Sequence, residues 1–517
     1  MTAQGLADAV LTGNPQVTFW RFVAKAYTNF ALETQLLDFT AGVPNFGAFP
    51  KCNLDRIGDL VYWMYVVFDL PGIGAIKYDD SDQPESIQTG VYRPFWTRAI
   101  GQALIESANF FIGGQNIDYM KGEFLFIWEE LTGQPGKRLI EMTGNYRTLA
   151  ALQTASAQPR RLYVPLPFWF TMNSGLALPL VSLQFHSVAV SIKLRPLQYL
   201  LKFTSAAMAV GYAINLAAKG VFNRPYYDAN EYAVFPAVVQ QPVTDLQLNI
   251  QNTDLMAYIE CCYVYLDQRE RSKFADGAFE QLMVEHQETS TQIDNQISTP
   301  LTVGNSAKRI NFELNFNHTI IELFWAARLG QHEGFNGQNE TGELNDLYNE
   351  WFNFSGPPQT VTQLPIDPIV RIQLRLNNSV RFGESEGRYF RLVQPWQHHT
   401  NIPMEHIYCY SFALQPEDVQ PSGSCNFSRI DNTKFEVTFD RHLFYGPTTA
   451  ESNDDNSSVT FLVYATNWNI LRFKFGLGGL FMILALRCVL ERVIANHFLW
   501  CALALATANQ AVSIATA

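Results

Sequence analysis

The chain has 517 residues, of which 47% are hydrophobic, 14% are aromatic and only 16% are charged. Its formal net charge of −12 argues against a protein that coats nucleic acid, because phosphate binding needs clustered Lys and Arg side chains. The length allows two or three domains with sizeable cores, and the low charged fraction predicts that much surface is buried against partners.

The cysteines and the N-terminus indicate a protein made in the cytosol. No CxxC pair and no disulfide framework is evident, so the sequence predicts free, mostly buried thiols in a reducing compartment. The first residues lack the basic start and long apolar core of a signal peptide. The seven cysteines are Cys52, Cys261, Cys262, Cys409, Cys425, Cys488 and Cys501.

The first half of the chain reads as short strands separated by turns. Residues 1–18 form an N-terminal arm, and residues 18–30 contain aromatic strand material. Residues 60–70, a continuous apolar run too short for a membrane span, predict a buried strand. Residues 77–92 predict a surface loop, the pair Gly113–Gly114 predicts a hairpin turn, and residues 118–131 predict a short helix. Residues 161–194 predict strands that Pro165, Pro167 and Pro179 confine to edges and ends, with clean alternation over 181–194.

The second half starts after an apolar, turn-rich stretch at residues 203–228, where we expect the domain junction. Residues 258–274 predict a strand and a charged turn, and residues 277–287 a short helix. Further strands are expected within 310–325, 369–397, 408–445 and 459–475. The long polar segment 331–365 predicts a functional loop or binding tip that Tyr348, Trp351 and Phe352 hold down.

Residues 408–431 predict an ordered corner between two strands. Pro416 and Pro421 remove backbone donors, and small polar side chains there can bond to nearby backbone. We expect Gly423 to adopt a positive φ and Arg429 to bond to backbone carbonyls or a carboxylate. The residues predicted to build this corner are Pro416, Pro421, Gly423, Asn426, Arg429 and Asp431.

No motif for catalysis or phosphate binding is present. His398, His399 and His406 lie close in sequence, but the His-x-His…Glu pattern of cupin metal sites is absent, so strand-edge histidines are favoured over a metal site. Glu129 and Glu130 are adjacent and should point apart, which is unsuitable for paired acid–base chemistry. Residues 269–271 predict a solvated, charged turn, with an interface salt bridge as the alternative. We therefore predict no catalytic residue, no metal and no cofactor.

Four segments carry a family resemblance. The stretch YSFALQPEDVQPSGSCNFSRID resembles the signature near the end of the major capsid proteins of nucleocytoplasmic large DNA viruses, most closely the algal-virus branch. GNPQVTF…TNFA, IGGQNID…WEEL and RLYVPLPFWF…GLALPL…LQFH resemble further parts of that family. The resemblance covers roughly residues 13–479.

The strand spacing by itself predicts tandem antiparallel sandwiches, without separating a jelly roll from other sandwiches. The resemblance implies an all-β fold with two tandem eight-stranded jelly rolls and a few short helices. The expected domains are an arm at 1–18, jelly roll 1 at 19–222, jelly roll 2 at 223–479 and an apolar extension at 480–517.

The resemblance also implies a structural function. Three copies would form a pseudo-hexagonal capsomer that tiles an icosahedral shell, contacting neighbouring capsomers and minor capsid proteins in a virion assembled in the host cytoplasm. The alternatives are a jelly-roll carbohydrate-active or cupin-like enzyme, and a minor capsid or spike protein. Residues 480–517 would lie on an internal membrane or minor protein, pack on their own trimer, or form an extension without a role.

Overall fold

Two β-sandwiches follow one another along the chain in this computed structural model. It describes residues 5–16, 18–20, 24–73, 76–79, 89–92, 94–203, 226–227, 233–234, 255–293, 307–332, 350–356, 366–440, 443 and 458–480. No helix within these residues is long and apolar enough to cross a membrane.

Strands and short helices alternate in the first half of the chain. The strands are β1 (Phe30–Leu37), β2 (Lys51–Asn53), β3 (Leu60–Leu70), β4 (Ile76–Asp79), β5 (Thr89–Tyr92), β6 (Pro94–Trp96), β7 (Ile105–Ile112), β8 (Gln115–Lys121), β9 (Arg160–Pro165), β10 (Leu178–Pro179), β11 (Val188–Leu194), β12 (Leu201–Phe203), β13 (Tyr226–Tyr227), β14 (Ala233–Val234) and β15 (Met256–Leu266). The helices are α1 (Leu6–Thr12), α2 (Ile100–Leu104), α3 (Gly122–Thr132), α4 (Ile140–Thr143), α5 (Leu149–Ser156) and α6 (Trp169–Met172), with 3₁₀ turns at Ser174–Leu176, Leu180–Ser182 and Leu197–Tyr199.

The second half is dominated by longer strands. They are β16 (Phe279–Ile293), β17 (Ala307–Phe312), β18 (Thr319–Leu329), β19 (Ile369–Leu376), β20 (Ser379–Glu386), β21 (Tyr408–Ser411), β22 (Cys425–Asn426), β23 (Thr433–Asp440), β24 (Val459–Lys474) and β25 (Leu477–Leu480). The helices are α7 (Gln268–Asp276) and α8 (Gln394–His398), with a π turn at Tyr389–Val393 and 3₁₀ turns at Gly330–His332 and Phe427–Arg429.

Both sandwiches have the same strand order. In the first, one sheet runs β1-β15-β3-β9 and the other runs β2-β11-β7-β8. In the second, the sheets run β16-β24-β18-β21 and β17-β23-β19-β20. If the eight main strands of each sandwich are numbered 1 to 8 in chain order, the two sheets of both sandwiches have the strand orders 1-8-3-6 and 2-7-4-5. Antiparallel pairing in this order makes each unit a jelly roll, so the predicted all-β, double jelly-roll architecture is confirmed.

The domain boundary differs from the prediction. Strand β15 pairs along its length with β1 and β3, which makes it the eighth strand of jelly roll 1. The boundary expected at residues 222/223 is therefore wrong, and the second jelly roll begins only after Leu266. Residues 204–225, where we expected the junction, lie outside the described residues, between two strands of the same sandwich. The apolar, turn-rich composition there misled the prediction, because composition does not report which strands pair with each other.

The cores follow the pattern of the predicted strands. Strand β3 is a buried strand, as its continuous apolar run predicted. The PLPFWF motif supplies Phe168, Trp169 and Phe170, which are completely buried and surround the ring of Phe110 at centroid distances of 5.1 to 5.3 Å. Aromatic rings packed in this way fill the space between two sheets with few voids.

Hairpin turns join the fourth and fifth strands of both jelly rolls. Gly113 and Gly114 have φ angles of 59° and 81°, which confirms the predicted turn between β7 and β8. Asn377 and Asn378 have φ angles of 48° and 63° between β19 and β20, at the corresponding place in the second jelly roll. Asparagine tolerates this left-handed region better than other side chains do.

Several local predictions were wrong. Where a strand was expected within residues 18–30, the described residues 18–20 and 24–29 are not strand and β1 begins at Phe30. The arm contains helix α1. The predicted loop at 77–92 contains the paired strands β4 and β5. Within 181–194 only β11 is a strand. The short helix predicted within 118–131 is present as α3, although it begins only at Gly122, after β8 has ended.

The charged segment after β15 was also misassigned. It forms helix α7 and not a turn, because the side chain of Asp267 caps it by accepting a hydrogen bond from the Glu270 N–H at 2.8 Å. The following segment, predicted as a short helix, is the long strand β16. Its fifteen backbone partners on β24 outweigh its intrinsic helix propensity.

Candidate functional site at the seam between the two jelly rolls

Helix α3 fills the space between the two jelly rolls. It begins at Gly122, directly after β8, and a Cβ atom at Gly122 would overlap the backbone oxygens of Gln102 and Ile105. The helix is therefore held tightly against its own sandwich from its first residue. Its outer side faces the sheet β16-β24-β18-β21 of jelly roll 2.

Phe124 is the aromatic centre of this seam. Its ring centroid lies 4.5 Å from His286, 5.8 Å from Tyr464 and 6.2 Å from Phe324. Tyr464 and Phe324 are direct partners on β24 and β18, and their row continues to Glu288 on β16 and Cys409 on β21. Helix α3 thus covers the outer face of the second jelly roll with apolar surface, the main source of stability in such a contact.

A buried ion cluster fixes the same helix. The carboxylate of Glu123 accepts hydrogen bonds from Arg195 at 2.7 Å and Arg328 at 3.0 Å. Burial disfavours the charged form of Glu123, but the two guanidinium groups outweigh burial and lower its pKa from 4.5 to about 2. Arg195 follows β11 in jelly roll 1, whereas Arg328 lies on β18 in jelly roll 2. One carboxylate therefore joins both domains.

Trp351 completes this cluster. The guanidinium carbons of Arg195 and Arg328 lie 3.9 and 4.9 Å from its ring centroid, within the range of cation–π attraction. Its Nε1–H donates a hydrogen bond of 2.7 Å to the backbone oxygen of Tyr199. The neighbouring Phe352 stacks on Phe126 of α3 at a centroid distance of 4.4 Å.

The predicted loop residues thus have different outcomes. Trp351 and Phe352 belong to the described residues 350–356 of segment 331–365, and they contact jelly roll 1 and α3 within the seam. Tyr348 lies outside the described residues, as do residues 333–349 and 357–365. The functional or binding role expected for this loop stays a prediction.

Polar contacts continue the seam along the edge of the sheets. The Asp118 carboxylate on β8 accepts a hydrogen bond of 3.1 Å from the backbone N–H of His286 on β16, and the His286 Nδ1 atom lies 3.0 Å from the same carboxylate. Lys121 and Glu288 form an ion pair at 2.7 Å. Strand β8 of one jelly roll therefore lies beside strand β16 of the other.

The predicted corner is ordered largely as expected. Gly423 has a φ of 151°, and a Cβ atom there would lie 2.7 Å from the backbone oxygen of Phe412, which confirms its predicted positive φ. Pro416 is buried and Pro421 is exposed. The side chain of Asn426 accepts a hydrogen bond of 3.0 Å from the Ser428 N–H, which caps a 3₁₀ turn.

The acidic end of the corner is tied to a neighbouring hairpin. The backbone N–H of Asp431 donates to the side chain of Asn377 at 3.0 Å, which connects the corner to the β19–β20 turn. The expectation for Arg429 was wrong: its side chain is exposed and makes no hydrogen bond within the described part of the chain. The six corner residues therefore share one segment without converging on one site.

The histidines do not form a common site. His399 is buried between Glu322 at 3.2 Å and Glu417 at 3.0 Å. Burial opposes its charge, but the two carboxylates outweigh burial and raise its pKa well above 6.5. His398 bonds to the Leu414 backbone oxygen, and His406 lies beside Asp367. The described residues contain no group of three His, Cys, Asp or Glu side chains that could hold a metal ion.

The strand-edge placement of these histidines was wrong, because His398 ends helix α8 and His399 follows it.

Glu129 and Glu130 have separate partners, Gln102 and Arg147. Burial raises the pKa of Glu129 to about 7. Arg271, predicted in a solvated turn, pairs with Asp59 at 3.0 Å from helix α7.

Comparison with known proteins identifies the family to which this chain belongs. The family model "Major capsid protein N-terminus" matches residues 18–233, and "Large eukaryotic DNA virus major capsid protein" matches residues 270–479. The major capsid protein of Phaeocystis pouchetii virus is 30% identical, and the match covers 93% of this chain and 98% of that protein. The chain belongs to the major capsid protein family of large eukaryotic DNA viruses.

Other relatives of this capsid protein agree. The major capsid protein of Paramecium bursaria Chlorella virus 1 is also 30% identical, again over 93% of this chain and 98% of the relative. A solved structure of the PBCV-1 virus capsid superposes with a TM-score of 0.60 at 25% identity, covering 90% of this chain and 99% of that chain. The Faustovirus major capsid protein, with a TM-score of 0.59 and 12% identity, shares the fold. The capsid function that the sequence resemblance implied is confirmed.

The ion cluster of the seam was not predicted from the sequence. Glu123, Arg195 and Arg328 are 72 to 205 positions apart, so no local motif joins them. The available signal was that Glu123 and Arg328 are single charges within apolar runs, GEFLFI and LFWAARL. Charges in such runs are almost always paired when the run is buried.

Proposed function

We propose that three copies of this capsid protein form a pseudo-hexagonal capsomer that tiles an icosahedral shell. The observation that carries the proposal is the repeated jelly roll: each chain contains two sandwiches of identical strand order, fixed side by side by α3. One chain therefore supplies two similar blocks, and three chains supply the six that a hexagonal outline needs. Closed cyclic symmetry is the usual arrangement of such copies.

Exposed apolar side chains support burial against partners. Trp20, Trp63, Trp396 and Met404 are among the large hydrophobic residues exposed on the single chain. Apolar surface on this scale is typical of proteins that bury it in an assembly. We infer contacts with other subunits, with neighbouring capsomers and with minor capsid proteins, in a virion assembled in the host cytoplasm. The apolar residues 480–517 would contact an internal membrane or a minor protein, or pack on their own trimer.

The proposal includes neither catalysis nor direct nucleic-acid binding. The buried acidic side chains of the described residues serve structural contacts, such as Glu123 with two arginines and Glu322 with His399. The net charge of −12 disfavours contact with phosphate backbones. No cofactor is needed for a function that consists of burying surface.

Light scattering on the purified full-length protein tests this proposal. A trimer has three times the mass of the 58.6 kDa chain, and we expect that mass to persist on dilution. Metal analysis of the same sample addresses the enzyme alternative. A monomer that carries a bound metal would overturn the capsomer proposal and favour a cupin-like enzyme.

A further inference from the structure

A cavity of about 690 Å³ lies between the two jelly rolls, beside the ion cluster of the seam. Trp351 forms part of its wall and also contacts Arg195 and Arg328 of that cluster. The volume is typical of small-molecule sites, which are often found where two domains meet. Both jelly rolls contribute side chains to the wall, so a bound molecule would contact both domains.

The charged side chains of the wall are unbalanced. Five are positive and three are negative, which leaves an excess of two positive charges. They are Arg98, Arg147, Lys202, Arg388 and Arg391 against Glu350, Asp367 and Glu405. Charges just behind the wall leave this excess unchanged, because Glu130 adds one negative charge and the ion cluster of the seam adds one net positive charge. The cavity therefore has the opposite sign to the whole chain, whose net charge is −12.

On the side of jelly roll 1, one carboxylate serves two arginines. The Glu405 carboxylate lies 2.6 Å from Arg98 and 3.5 Å from Arg147, and Arg147 also lies 2.8 Å from Glu130. A guanidinium group has five N–H donors, more than these contacts use. The Arg98 Nη2 atom is buried without a hydrogen-bond partner in the described part of the chain. The Arg147 side chain is 32% exposed, so its remaining donors are accessible.

On the side of jelly roll 2, Asp367 has the same role. It lies 2.9 Å from Arg388, 3.0 Å from Arg391 and 3.5 Å from His406. Burial and the neighbouring Arg391 lower the pKa of His406 to about 4, although Asp367 opposes this change. Among the charged neighbours the arginines thus outweigh the carboxylate, and positive potential prevails. The Arg388 side chain is 72% exposed, which leaves its donors accessible.

The two groups of charges are adjacent, because Glu405 and His406 are consecutive residues. Excess charge of one sign in a half-enclosed space is unfavourable unless a counter-charge compensates it. A phosphate group brings up to two negative charges in a small volume, and arginine binds its oxygens with paired N–H donors. Phosphate therefore matches both the excess charge and the donors of this wall.

We propose that this cavity binds a small phosphorylated molecule with at least two negative charges, whose phosphate oxygens accept hydrogen bonds from Arg147 of jelly roll 1 and Arg388 of jelly roll 2. This site goes beyond capsomer formation and does not depend on it. Binding stabilises the folded chain, because the molecule contacts both domains. Phe95 and Tyr146 add aromatic surface to the wall, so a nucleotide and an inorganic phosphate are the two sources to distinguish.

Isothermal titration calorimetry of the full-length protein tests this site, with inorganic pyrophosphate as the probe in magnesium-free buffer. We expect saturable binding of one pyrophosphate per chain. Arg147→Gln and Arg388→Gln should each weaken binding at least about 10-fold, the effect of losing one charged hydrogen bond. Arg309→Gln is the matched control, because Arg309 pairs with Glu436 on the β17-β23-β19-β20 sheet, outside the wall. Its affinity should equal that of the wild type.

Melting temperatures and a second probe complete the experiment. Pyrophosphate should raise the melting temperature of the wild type and the control more than that of the two wall variants, whose circular dichroism should be unchanged. ATP that binds more tightly than pyrophosphate would assign a nucleotide, and ATP that binds no more tightly would assign the phosphate group alone. The inference would be overturned if neither probe shows saturable binding at millimolar concentration, or if both wall variants bind as tightly as the control.

Discussion

Replacing Glu123 by alanine tests whether the buried ion cluster holds the two jelly rolls together. The wild-type carboxylate lies between Arg195 and Arg328, and all three side chains are at most 6% exposed. Alanine would leave two buried guanidinium groups beside an empty space. Loss of one partner from a buried ion cluster is far more costly than loss of an exposed pair, because the remaining charge stays buried.

The expected loss in the free energy of unfolding can be worked out from the pKa of Glu123. Its pKa is lowered from 4.5 to about 2, and at about 1.4 kcal/mol per pKa unit this corresponds to roughly 3 kcal/mol of stability. The cost measured for breaking buried ion pairs, about 3–5 kcal/mol, agrees. Since the pKa is lowered on folding, this stability is complete above pH 4.5 and is lost as the pH falls toward 2.

Thermal unfolding followed by circular dichroism at pH 7 provides the assay. For domains of this size a loss of this magnitude lowers the melting temperature by about 10 °C. Glu106→Ala is the matched control, because Glu106 pairs with Lys193 on the half-exposed surface and its loss should cost less than about 1 kcal/mol. Equal melting temperatures for the two variants would refute the argument. The acid dependence between pH 4.5 and 2 should also weaken in Glu123→Ala alone.

Three further predictions concern the corner, the C-terminus and the long loop. Gly423→Val should cost about 2–4 kcal/mol and reduce assembly, because its Cβ would collide with the Phe412 backbone oxygen; an unchanged melting temperature with normal assembly would contradict this. A chain truncated after Leu480 should still form soluble trimers of unchanged size, since β25 ends there and Leu480 is buried, so loss of folding would place the extension in the core. Proteolysis of intact particles should cut within residues 331–365 before the sandwich strands; protection in particles with cleavage of free trimers would place this loop at a subunit contact.

The C-terminal prediction differs by one residue from the boundary expected from sequence. We expected the domain to end at residue 479, but Leu480 pairs with Leu471 and belongs to the buried core. The remaining residues, 481–517, lie outside the described part of the chain. Their three expected roles therefore stay predictions.

The sequence by itself determined the fold class and the family. Alternation of apolar and polar residues is local, so β3, β18 and β24 were predictable from their own residues. The hairpin at Gly113–Gly114 and the positive φ of Gly423 were predictable for the same reason, since steric freedom belongs to the residue. The family followed from long ordered motifs such as YSFALQPEDVQPSGSCNFSRID.

Only the tertiary structure decided the domain boundary and the seam. Strand β15 joins jelly roll 1 through backbone hydrogen bonds to β1 and β3, and backbone pairing leaves little signal in the side-chain sequence. Glu123 meets Arg195 of jelly roll 1 and Arg328 of jelly roll 2, so its role depends on where distant strands lie.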